Sequence, residues 1–86
     1  MRIYLQKPSE GNLPHRYCHL WTQEDLLHGW TLIAEAGYQG SRGRVKKQQY
    51  PDRESVEHAL IAARDGHLRR GYRVMIVEGQ SPSEKS

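Results

Sequence analysis

The apolar positions of this chain fall into short alternating runs followed by one helical stripe. Ile3, Tyr4 and Leu5 form a β-prone run closed by the turn-rich segment Pro8 to Pro14, and we expect an edge strand there. From Arg16 to Thr22 the chain alternates, with Tyr17, His19 and Trp21 on one face and Cys18 and Leu20 on the other, which predicts a second strand. Gln23 to Gly29 reads as a connection, and Trp30 to Ala36 gives a third strand with Trp30, Leu32 and Ala34 on one face. The loop Gly37 to Gly43 then leads into Arg44 to Tyr50, a polar strand whose hydrophobic content is Val45 and Tyr50. Two strands joined by a glycine-rich turn predict a hairpin.

Past Pro51 the period changes. Val56, Ala59, Leu60, Ala63 and His67 lie at helical spacing and draw one buried stripe, so a helix is expected to about Arg70. Asp52 suits its N-cap, Glu54 its first turn, and Arg69 and Arg70 its last, with Gly71 as the left-handed residue that ends it. Tyr72 to Val77 makes a final strand, and 79–86 reads as a disordered polar tail. The order β-β-β-β-α-β predicts an α+β fold over 1–78: a small antiparallel sheet of four to five strands with one helix packed on one face. The other face of such a sheet is left largely exposed.

Composition limits the core. The chain has 86 residues, of which 36% are hydrophobic, with no Phe, two Trp and five Tyr. Trp21 and Trp30 are therefore expected in the core, where large side chains exclude water. The single cysteine, Cys18, leaves no internal disulfide or CxxC zinc cluster and reads as a small buried hydrophobe in a reducing, cytoplasmic setting. No run approaches the roughly 20 apolar residues needed to cross a bilayer, and nothing near the N-terminus resembles a signal peptide, so no membrane partner is expected.

The formal charge is only +3, but its distribution is uneven. No acidic residue lies between Glu35 and Asp52, a stretch holding Arg42, Arg44, Lys46 and Lys47. A second acid-free run, Gly66 to Val77, carries Arg69, Arg70 and Arg73. Cations without acidic neighbours suit a polyanion, because neutralising phosphates releases counterions. The candidate nucleic-acid contacts are Arg42, Arg44, Lys46, Lys47 and Arg73, with Tyr38, beside Gly37 and Gly40, as a stacking group. The plainer readings are that the lysines protect an edge strand from aggregation, that Arg69 and Arg70 complement the helix dipole, and that Tyr38 is a core residue.

Catalytic and metal signals are weak. His15 and His19, four apart on a strand, stand about 13 Å from one another and cannot share a zinc. Glu24-Asp25 lies in a connecting turn, Ser41 has no placed base, and the glycine loop joins two strands where a phosphate-binding loop would precede a helix. The expectation is a non-catalytic binding module without a metal or a small-molecule cofactor. Its expected partner is nucleic acid, DNA by the resemblance that follows, or alternatively another protein docked on the exposed sheet face or hairpin.

Several stretches together resemble one family. Arg16-Tyr17-Cys18-His19-Leu20, Trp30-Thr31-Leu32-Ile33-Ala34-Glu35, the glycine-bearing Ala36 to Arg44, Tyr50-Pro51-Asp52, the helix with Ala59, and Arg70-Gly71-Tyr72 follow the pattern of the WGR domain. That module occurs in poly(ADP-ribose) polymerases and as short stand-alone bacterial proteins. The similarity covers most of Arg16 to Val77. Only Gly37 of the signature tripeptide is kept, with Ala36 where the family has Trp, Tyr38 where it has Arg, and Arg44 where it often has Gln. The resemblance implies an antiparallel sheet with one helix and, as in the polymerase members, contact with DNA near strand breaks.

Overall fold

The computed structural model describes residues 1–9 and 11–79. Six elements follow one another: β1 (Arg2–Lys7), β2 (Arg16–Glu24), β3 (Trp30–Tyr38), β4 (Arg44–Tyr50), α1 (Arg53–Arg69) and β5 (Arg73–Glu78). The strands form one sheet in the order β4-β3-β2-β1-β5, every neighbouring pair antiparallel, with α1 packed on one face. The α+β class and the order β-β-β-β-α-β are as the periodicity predicts, and the Gly-rich turn does join a β3–β4 hairpin. Of the tail expected over 79–86, residues 80–86 lie outside the described residues.

One placement differs. β1 is not an edge strand, because it pairs with β2 on one side and β5 on the other. Its apolar run is short, but Ile3 and Leu5 alternate onto the helix side and are fully buried there, which an edge position would not achieve. The edges are β4 and β5.

The core lies between the sheet and the helix: Ile3, Leu5, Cys18, Leu20 and Leu32 meet Val56 and Leu60, with Tyr72 closing one end. Ala59 and Ala63 pack beside them, small enough to let the helix sit close to the sheet. The two tryptophans are not core residues in the expected sense. Trp30 is half-buried at the margin, whereas Trp21 has the parity opposite to Cys18 and Leu20 and so lies on the face away from α1. A single helix covers only one side of the sheet, and the parity of β2 gives that side to its small residues.

Local signals fix the helix ends. Asp52 accepts a 2.8 Å bond from the Ser55 amide, and Asp52 is held below the ordinary carboxylate range by the Ser55 backbone bond. At the other end Gly71, with φ +98, lets its own amide reach the Leu68 carbonyl and that of Tyr72 reach the His67 carbonyl. The chain then reverses directly into β5. His67 meets Tyr72 edge-on at 4.9 Å, completing the stripe that began at Val56.

Candidate nucleic-acid interface

Strand direction sorts the charges. β1 and β3 end where β2, β4 and β5 begin, and the register Lys7 opposite Arg16, Arg16 opposite Tyr38 and Ala36 opposite Arg44 puts these residues at one end of the sheet. The last turn of α1 reaches the same end: a methyl group at Gly71 would touch Lys7 Cε at 3.4 Å. The opposite end carries Glu24, Asp25, Asp52, Glu54 and Glu78, with the start of α1 anchored there by the Arg53 guanidinium, 5.9 Å from the Trp30 ring centroid. Among the described residues, cations therefore predominate at one end of the strands and carboxylates at the other, where Arg2 and Arg53 also lie.

At the basic end, side-chain alternation divides the expected residues between two faces. Arg44 and Lys46 oppose Ala36 and Ala34 and so lie on the helix side. Tyr38 and Arg16 share that side, and the Arg16 guanidinium lies 5.5 Å from the Tyr38 ring centroid. Tyr38 is exposed, not part of the core. Lys46 and Arg70 line one recess of about 330 Å³ between β4 and the end of α1. Lys7, Arg16 and Tyr38 line a second, of about 260 Å³, together with Pro8, Leu13 and Pro14. These cations span four adjacent strands, a band about 14 Å wide at the usual strand spacing.

Lys47 and Arg73 are elsewhere. Lys47 opposes Ile33 on the open face, and Arg73 opposes Gln6 on the same open face at the far edge. Arg42 sits on the hairpin turn at the basic end. Sequence reasoning did not find Lys7 and Arg16, whose contribution depends on a cross-strand register that no local pattern carries. Arg70 was legible only as a helix-end cation, although it also reaches into the β4 recess.

Among the described residues, no carboxylate forms an ion pair with the cations at the basic end. The ion pairs among these residues are Arg53 with Glu57 and Arg64 with Asp65, so none involves Lys7, Arg16, Arg42, Arg44, Lys46 or Arg70. Arg70 is close enough to Cys18 to oppose the rise that burial causes in its thiol pKa, which stands at about 11. Among the described residues no group of three His, Cys, Asp or Glu side chains is placed to hold a metal ion. No described helix is long and apolar enough to cross a membrane.

The open face has a different chemistry. Tyr17, Tyr4, His19 and Trp21 form a continuous aromatic row, with centroid separations of 6.3, 5.9 and 4.5 Å along it. Arg2 covers the Trp21 end at 5.5 Å. The Tyr17 hydroxyl donates to Glu35 Oε2 at 2.7 Å, and Gln39 Nε2 donates to the Tyr4 hydroxyl. Partial burial, with Arg2 nearby, lowers the His19 pKa and favours a neutral ring in the row. Ile33 is buried on this face without help from the helix, covered by its sheet neighbours.

No family model matches the chain, and neither a curated protein nor a solved structure resembles it closely enough to be matched.

Proposed function

We propose that this chain is a non-catalytic, WGR-like module of the cytoplasm that binds nucleic acid, DNA in the first instance, through the helix-side basic end. One observation carries the reading: Lys7, Arg16, Arg44, Lys46 and Arg70 converge on one face with no acidic partner among the described residues. Uncompensated cations spread over a band of that width match a run of phosphates, and they supply affinity without sequence preference. Arg42 extends the band along the hairpin turn, and Tyr38 offers an exposed ring on which a base or ribose stacks. Lys47 and Arg73 belong to a different surface and are secondary in this reading.

The test is an anisotropy titration of short duplex, single-stranded and nicked DNA at low salt, repeated as salt is raised. Binding that weakens steeply with salt and is lost in Arg44→Glu with Lys46→Glu is the expected result. Absence of binding at low salt, or binding indifferent to that double reversal, overturns the reading.

The aromatic row favours a second reading, in which a partner polypeptide docks on the open face. Aromatic side chains with a buried aliphatic neighbour make an apolar contact centre whose affinity survives moderate salt. Trp21→Ala would then abolish partner binding, while the Arg44 and Lys46 reversals would leave it unchanged.

A further inference from the structure

The two edges of the sheet are built differently. β4 is polar along most of its length and carries Lys46 and Lys47, the usual guard against edge-to-edge pairing. β5 has Val74, Met75, Ile76 and Val77 in succession, exposed by 38%, 53%, 51% and 46%, and among the described residues no strand pairs with its outer side. An apolar edge of this kind is a template for another strand.

Its pattern says which strand fits. Val74 and Val77 oppose Leu5 and Ile3 and so lie on the helix side, whereas Arg73, Ile76 and Glu78 oppose Gln6, Tyr4 and Arg2 on the open side. Met75 is the extra residue where the register shifts, and it lines a recess with Gln6 and Arg73, again on the open side. From either end the faces therefore read open, helix, open, open, helix, open. Directly opposed residues of an antiparallel pair share a face. A regular six-residue strand cannot pair with its own copy about its midpoint in this way, because residues equally far from the midpoint would lie on opposite faces. The bulge removes that mismatch.

We propose that β5 is a self-association edge, on which a second copy of this chain pairs antiparallel about a two-fold axis normal to the sheet. Arg73 then opposes the partner's Glu78, Val74 the partner's Val77 and Met75 the partner's Ile76, with each pair repeated by symmetry. Opposite charges close both ends of an apolar centre, the self-complementarity an isologous interface requires. Two five-stranded sheets become one of ten strands, with both aromatic rows on the same side. Six paired residues extend for only about 20 Å, so the interface is at the small end of specific contacts and dissociates on dilution. This inference does not depend on the nucleic-acid reading.

Sedimentation of the full chain over a wide concentration range at low salt tests it. The mass is expected to rise from 10.0 kDa towards twice that value as concentration increases. Met75→Lys, which sets ammonium groups in the apolar centre, abolishes the rise while circular dichroism shows an unchanged fold. Arg73→Glu alone and Glu78→Arg alone each place like charges at both ends and weaken self-association about tenfold. Mixed in equal amounts, these two variants regain wild-type association, because both ends of the heterodimer again pair opposite charges. A wild-type mass fixed at 10.0 kDa, a Met75→Lys variant that still associates, or a mixture no heavier than its parts overturns the proposal.

Discussion

Lys7 and Arg16 oppose each other directly across the β1–β2 ladder, two cations in one register pair. The Arg16 guanidinium lies over Tyr38, so the row runs from one cation through another to an exposed ring. Like charges in directly opposed positions destabilise a sheet, and nothing in the core requires either of them to be charged. Under the proposed nucleic-acid reading, a pair of like charges that costs stability is what a phosphate-binding surface would retain.

Lys7→Glu tests that trade. Replacing repulsion by attraction across the pair is expected to raise unfolding stability by about 0.2–1 kcal/mol. The same change should weaken DNA binding and make the logarithmic salt dependence shallower by about one counterion or more. Urea unfolding and anisotropy on the same variant give the two readouts. Gained stability with unchanged affinity would remove Lys7 from the interface.

Lys46 and Lys47 are adjacent in sequence but lie on opposite faces, since one opposes Ala34 and the other Ile33. Lys46→Glu is therefore expected to reduce DNA affinity several-fold and shift amide resonances around Gly66 and Arg70, with which Lys46 shares its recess. Lys47→Glu should leave affinity close to wild type and perturb the surroundings of Ile33 and Thr31 on the open face. Equal losses from both would mean that nucleic acid wraps the β4 edge and touches both faces.

The fold was largely legible because each element carries its own local signal. Alternation in β2, the stripe from Val56 to His67, Asp52 before the helix and Gly71 after it are all short-range patterns, and the structure realises each one. The position of β1 was not legible, because strand order depends on which partner β5 finds after the helix has crossed the sheet. The candidate site was legible as a concentration of positive charge but not as a surface. Alternation splits Lys46 from Lys47, and register brings Lys7 and Arg16 beside Tyr38 from far away in sequence. Trp21 was misplaced for a related reason: bulk suggests burial, but parity decides which face a strand residue takes.

Tyr17→Phe isolates the hydrogen bond that ties β2 to β3 on the open face. The Tyr17 hydroxyl donates to Glu35, and chiefly because of that bond its pKa is raised above 10.0. The stability this pair contributes is thus fully present below pH 10.0 and is lost as pH rises through the folded-state value. At neutral pH the substitution should cost about 0.5–1.5 kcal/mol, the usual net worth of one such bond. Above pH 10.0 the gap between variant and wild type should narrow in paired urea titrations. A gap that stays constant with pH would mean that the tyrosine ring, not its proton, holds the strands.

Cys18 is a chemical reporter of the β2 register. Its side chain is fully buried beneath α1, and burial, opposed in part by the Arg70 charge, pushes its pKa up to about 11. At pH 8 almost no thiolate is present and no reagent reaches the sulfur without opening of the helix–sheet interface. A chromogenic disulfide reagent should therefore label the native protein at least a hundredfold more slowly than the urea-unfolded chain. Labelling should also accelerate with sub-denaturing urea. If the native thiol reacted at once, Cys18 would face solvent, and a one-residue slip of β2 would follow, since such a slip exchanges the two faces. Tyr17, His19 and Trp21 would then lie under the helix, and the aromatic row would no longer belong to the open face.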